Sequence, residues 1–170
     1  MVTSWRTGAI VLGLALTFCL ISSFSGLAFQ TPFGEFLFQG DYRETRKLER
    51  EAAVARYNYC PTGGCVVRME SVQIRPTKAY KGGTLTLTTT YTILTPDDVA
   101  IPVSISREMF FRGESLGRVK DISTRNKNGT WVQEINFSLP ANAAPGIYTL
   151  NTRVTTAYGS DQKSLQFTVQ

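Results

Sequence analysis

From Cys65 to the C-terminus, apolar residues recur at every second position in short runs, and that period constrains the fold class more than any other feature. Thr84–Leu94 places Leu85, Leu87, Thr89, Tyr91 and Ile93 on one face, and the run from Trp131 does the same with Trp131, Ile135, Phe137 and Leu139. Ile147–Tyr158 aligns Tyr148, Leu150, Val154 and Tyr158, and Leu165, Phe167 and Val169 alternate at the end of the chain. Val66–Ile74, Val103–Phe111 and Leu116–Ile122 supply three further strands. Pro102 cannot donate to a ladder, so it belongs at a strand start or a sheet edge. Arg112-Gly-Glu-Ser115 reads as a turn, and Asn126-Lys-Asn-Gly129 as a hairpin turn, because Asn-Gly adopts positive φ at low cost. Seven short strands punctuated in this way predict an all-β, seven-stranded β-sandwich over residues 60–170.

Ahead of that domain, residues 7–34 carry no charged side chain, and they follow a short start that ends in the basic Arg6. Residues 1–28 read either as a signal peptide or as a retained signal anchor. Small residues at Gly26 and Ala28 suit cleavage, whereas the uncharged stretch exceeds the roughly 20 residues a transmembrane helix needs. A lipoprotein signal is disfavoured because Phe18, a large residue, precedes Cys19. Both surviving readings export the remainder of the chain. Residues 29–40 form a Phe-rich juxtamembrane segment, with Phe29, Phe33, Phe36 and Phe38 placed for a bilayer interface or a protein partner. Residues 41–58 contain no Gly or Pro and are rich in helix formers, with an apolar stripe at Leu48, Ala52 and Ala55. That composition predicts a short charged helical connector.

The three cysteines and the absence of histidine narrow the chemistry. Without His, the commonest general base and most zinc sites are missing. Cys60-Pro-Thr-Gly-Gly-Cys65 reads as a local disulfide, since the spacer turns sharply. The spacing is not that of a redox pair, and a metal would need two further ligands. The domain's acids are scattered. Asp97-Asp98 after Pro96 reads as a turn, although it could lend oxygens to a calcium ion. Neither a cofactor nor a small-molecule substrate is expected. The net charge of +5 is spread along the chain without a recognition element for nucleic acid. Residues 107–127 hold Arg107, Arg112, Arg118, Lys120, Arg125 and Lys127 beside Phe110 and Phe111. They read as a basic, aromatic hairpin, with Phe110, Arg112 and Arg118 as candidate partner-binding residues. A solvated edge that discourages strand-to-strand aggregation would have the same composition.

The segments Gly129-Thr-Trp131, Phe137-Ser-Leu-Pro140, Pro145-Gly-Ile-Tyr148-Thr-Leu150 and Phe167-Thr-Val169 resemble bacterial immunoglobulin-like or fibronectin-III-like envelope domains. The resemblance covers about the last hundred residues and speaks to fold, not to activity. It implies an immunoglobulin-like sandwich in which the Tyr148 hydroxyl bonds backbone at a corner. The resulting expectation is a non-enzymatic protein of the cytoplasmic membrane whose exported domain docks to or stabilises an envelope or membrane-complex protein. The alternative is a secreted or periplasmic adhesion or filament subunit, released after signal cleavage.

Overall fold

In β5 (Ile101–Phe111) burial alternates without a break, odd-numbered residues inward and even-numbered residues outward. The computed structural model describes residues 37–170, and the period-2 pattern there becomes nine strands. They are β1 (Leu37–Leu48), β2 (Val66–Arg75), the two-residue β3 (Lys78–Ala79), β4 (Thr84–Leu94), β5, β6 (Glu114–Asn126), β7 (Gly129–Ser138), β8 (Gly146–Thr156) and β9 (Gly159–Val169). Two sheets result, one ordered β1-β7-β4-β2 and the other β3-β9-β8-β5-β6. All pairings are antiparallel except β3 with β9. All seven expected strands are present. The segments expected at 1–28, with Phe29, Phe33 and Phe36, lie outside the described residues, among which no helix is long and apolar enough to cross a membrane.

The core between the sheets falls into two apolar clusters. One gathers Leu85, Leu87, Ile135 and Phe137 from the first sheet against Met109, Phe111, Tyr148, Leu150 and Phe167 from the second. The other packs Met69, Tyr91 and Ile93 against Ile101, Val103, Ile105 and Val154. Aromatic rings join the layers in the first cluster, with Phe137 and Phe167 centroids 6.4 Å apart and Tyr148 5.5 Å from Phe167. The Tyr148 hydroxyl donates to the Ala144 carbonyl at 2.9 Å, as expected of the corner before β8. Tyr158, by contrast, does not share the inward face of β8. The strand ends at Thr156, and Tyr158 sits 53% exposed in the turn that follows.

The connector differs from expectation. Its first half is not helical but forms β1, pairing with β7 through eight residue pairs from Leu37↔Ser138 to Leu48↔Thr130. Helix propensity differs by only tenths of a kcal/mol per residue among Arg, Glu, Lys and Thr, so tertiary pairing overrides it. Glu44, Arg46 and Leu48 are half-buried, while Arg43, Thr45 and Lys47 are exposed. Arg46 lies 5.0 Å over the Trp131 ring. Only Arg50–Tyr57 is helical (α1), and its inner face is Ala53, Val54 and Tyr57, not the stripe through Ala52 and Ala55, which are exposed. Asn58 in the left-handed region ends it. The folded unit therefore includes β1 as well as residues 60–170, and Phe38 lies within it, opposite Phe137.

The Asn126–Gly129 segment is a corner between sheets and not a hairpin, because β6 and β7 belong to different layers. Asn128 is buried there. Its Oδ1 accepts from the Thr95 N–H at 2.9 Å, and its Nδ2 donates to the Thr95 carbonyl at 2.8 Å. Gly129 follows at φ +145°, where an added Cβ would lie 2.6 Å from the Leu48 carbonyl oxygen. We expect Gly129→Ala to destabilise the fold by about 2 kcal/mol or more, from strained φ and backbone collision together. Urea unfolding measures this, and an unchanged midpoint would contradict it.

Candidate functional site

One rung of the core is polar. Thr89 pairs with Gln133 in the first sheet and Arg107 with Thr152 in the second, and all four are fully buried. Arg107 follows Val103 and Ile105 in strict alternation, so strand geometry turns it inward, away from the surface hairpin to which the sequence assigned it. Its Nη2 donates to Gln133 Oε1 at 2.7 Å and to Thr89 Oγ1 at 3.3 Å. Gln133 Nε2 then donates to Glu44 Oε1 at 3.2 Å, so one amide bridges a buried cation and a carboxylate from the edge strand. Glu44 also accepts from the Tyr91 hydroxyl at 2.7 Å and from the Thr124 hydroxyl at 3.1 Å, and Asn126 Nδ2 donates to Tyr91 at 2.6 Å. The network thus ties β1, β4, β5, β6 and β7 together.

The electrostatics of this layer are costly. Burial pushes the Arg107 pKa down to about 10, partly offset by the fields of Asp121 and Glu44. Burial and the Glu44 carboxylate together hold the Tyr91 phenol well above its ordinary pKa, which keeps it a donor. Nε and Nη1 of Arg107 and Oγ1 of Thr152 are buried without a hydrogen-bond partner among the described residues. A base with a depressed pKa opposes folding wherever it is charged in both states, here below pH about 10, by about 3 kcal/mol. We expect Arg107→Met to leave stability unchanged or raise it by about 1–3 kcal/mol. Gln133→Leu should lower it by about 3 kcal/mol, since the guanidinium stays buried and loses its best acceptor. Chemical denaturation of the two variants checks both signs.

A second polar cluster lies beneath α1. The Glu70 carboxylate occupies a bulge in β2 and accepts from Tyr57 at 2.8 Å, from Thr92 and from Thr130. Its other oxygen lies 3.2 Å from Arg56 Nη2. Burial opposes ionisation, but the Thr92 and Tyr57 hydroxyls, Arg56 and Thr130 outweigh it and hold the pKa below the usual carboxylate range. Stability from a lowered carboxylate pKa is present above the unfolded-state value and lost as pH falls through the folded-state value. Acidification below about pH 4.5 should therefore loosen α1 from the sheet before the sandwich unfolds. Hydrogen exchange over residues 50–57 measures this, and Glu70→Gln should make the region permissive at neutral pH.

The residues singled out from sequence do not form one surface. Phe110 is half-buried on the outer face of the second sheet. Arg112, at φ 53°, and Gly113, at φ 85°, make the two-residue turn after β5, and the Arg112 guanidinium lies 5.0 Å over Phe111. Arg118 is exposed on β6 and pairs with Asp121 at 3.6 Å. The Cys60–Cys65 disulfide is not formed. Both thiols are free, and the turn after Cys60 draws its Sγ to within 3.0 Å of Thr62 Oγ1. That contact also lowers the Cys60 pKa. At Asp97 the backbone carbonyl, not the carboxylate, is engaged, accepting from Thr95 and Asn128. Among the described residues no three His, Cys, Asp or Glu side chains gather as metal ligands. The polar rung was detectable from the phase of Arg107 among Val103, Ile105, Met109 and Phe111; Glu44 and Glu70 gave no comparable signal.

The sequence matches no protein-family model and no curated protein. Among solved structures it is similar to β-glucosidase from Listeria innocua, at 13% identity over 62% of this chain and 16% of that one, with a TM-score of 0.43. It is also similar to Spo0M, a sporulation control protein from Bacillus subtilis, at 12% identity over 64% and 50%, with a TM-score of 0.43. The alkylpurine DNA glycosylase AlkC from Pseudomonas fluorescens gives 11% identity over 61% and 30%, with a TM-score of 0.44. The chain spans at most half the length of these proteins, and likeness at this level says nothing about activity.

Proposed function

We propose that this chain is a non-catalytic membrane protein whose exported immunoglobulin-like domain docks to an envelope or membrane-complex partner. The observation that carries the reading is the seam between the uncharged run and the folded unit. The run ends at residue 34 and β1 starts at Leu37, already paired with Ser138. A domain anchored through residues 1–28, with the Phe-rich residues that follow at the interface, would stand close to the bilayer. Such placement suits a protein that holds a membrane partner better than one released to diffuse. The finer fold assignment draws on the order β1-β7-β4-β2 facing β3-β9-β8-β5-β6, on β3 crossing to pair parallel with β9, and on the Tyr148 corner.

The test is fractionation with intact-mass measurement. The full chain should remain with membranes through high-salt and carbonate washing, at a mass that includes residues 1–28, and a partner should copurify in mild detergent. A mature chain beginning near Gly26 or Phe29 in the soluble fraction would replace this reading with the secreted one.

A further inference from the structure

The two ends of the sandwich differ in charge, and the end where β1 begins is the basic one. Leu37 pairs with Ser138 and Ser138 with Thr84, so the start of β1 lies beside the β3–β4 and β7–β8 loops. Those loops are tied together, with the Gly82 N–H donating to the Pro140 carbonyl at 3.3 Å and the Leu139 N–H to the Gly83 carbonyl at 2.9 Å. The second sheet brings its Arg112–Gly113 turn and the start of β8 to the same end, since Phe111 pairs with both Glu114 and Tyr148. The contact between Phe137 and Phe167 fixes the two sheets end to end there. Arg75, Lys78, Lys81 and Arg112 are all exposed at this end, against the carboxylate of Glu114 and, two residues before β1 in sequence, Glu35. Between them stand Tyr80, 72% exposed, and Ile147, 60% exposed. The opposite end also exposes apolar side chains, Val99 and Tyr158, but there Asp97 and Asp98 balance the exposed Arg125 and Lys127. Exposed apolar area therefore does not distinguish the ends; charge and the arrival of the chain do.

We infer that this basic end rests on anionic lipid headgroups, with the cations in the headgroup layer and Tyr80 and Ile147 at the interface. The inference rests on membrane insertion of residues 1–28 as a retained anchor. From residue 28 to Leu37 the chain spans about 30 Å at most, and this end of the sandwich is the one that the tether brings towards the membrane. That reach lets the cations at this end come within a Debye length, about 8 Å at physiological salt, of an anionic leaflet, where its field holds them. A cationic rim around an aromatic and an aliphatic side chain is the composition that an interface favours. Docking would fix the tilt of the sandwich and leave the Asp97–Asp98 end and the outer sheet faces free for a protein partner.

The experiment uses the full chain carrying Tyr80→Trp, with the parent chain as the blank for Trp5 and Trp131. It is reconstituted in zwitterionic vesicles and in vesicles containing about 30% phosphatidylglycerol, each doped with brominated lipid. The indole introduced at position 80 should be quenched in the anionic vesicles and little in the zwitterionic ones, and about 0.5 M salt should reverse it. Each cation near the leaflet contributes about fivefold, so adding Lys78→Glu and Lys81→Glu should shift the docked-to-undocked ratio by roughly 25-fold or more and abolish quenching. A chain that floats with both vesicles but shows no anionic-specific quenching overturns the docking and leaves the anchor standing. A chain that fails to float with zwitterionic vesicles overturns the anchor. In that case salt-sensitive flotation with anionic vesicles alone supports the docking surface, and its absence overturns that too.

Discussion

The two halves of the core meet at a single buried guanidinium, and the geometry of both sheets depends on how it is accommodated. Arg107 is 0% exposed in a layer otherwise made of Thr89, Gln133 and Thr152. A cation there can be retained only if a counter-charge reaches it, and the nearest carboxylate in its hydrogen-bonded network belongs to Glu44 on the edge strand. Replacing the whole set by apolar residues would in general cost nothing or stabilise. What the set supplies is register: Gln133 can bridge Arg107 to Glu44 only when β1, β7 and β5 are aligned as they are. A two-residue slip of β1 along β7 keeps its inward face inward but moves Glu44 away from the amide, leaving the buried cation to Gln133, Thr89 and the field of Asp121.

The same economy appears on the outer face of the first sheet. Glu70 sits at a bulge, so its side chain departs from simple alternation and gathers hydroxyls from β4 and β7 together with Tyr57 and Arg56 from α1. The helix is only eight residues long, too short to persist by itself, and its N-cap Glu49 makes no side-chain cap bond. Its stability therefore comes from Ala53 packed on the sheet and from this carboxylate. Both acidic clusters use a carboxylate to fasten an N-terminal element, β1 or α1, to strands far away in sequence.

The strands from β2 onward were legible in the sequence because each carries its own alternation, which survives whatever it packs against. β1 was not: Asp-Tyr-Arg-Glu-Thr-Arg-Lys has no apolar face, and its strand character is conferred by the free edge of β7 and by Trp131 beneath Arg46. Arg107 was counted with the surface charges because residue type outweighed phase; phase was the better guide. The turn at Asn128 was recognised, but a local motif cannot say whether the strands it joins share a sheet. Here the buried Asn128 amide, bonded to Thr95, selects the corner. The Glu44–Gln133 bond spans 89 positions, and a single sequence contains no signal linking residues so far apart.

That separation has a consequence for how the chain matures. β1 is made first among the strands, yet its partner β7 follows about eighty residues later, after five strands of the two sheets have already emerged. During that interval β1 has no ladder to join, while β2 can pair with β4 and β5 with β6. The strand that waits longest for its partner is thus the one nearest the uncharged run. Until the β1–β7 ladder closes, one edge of β7 stands open as a template for any extended segment nearby, and a second copy of this chain would offer one.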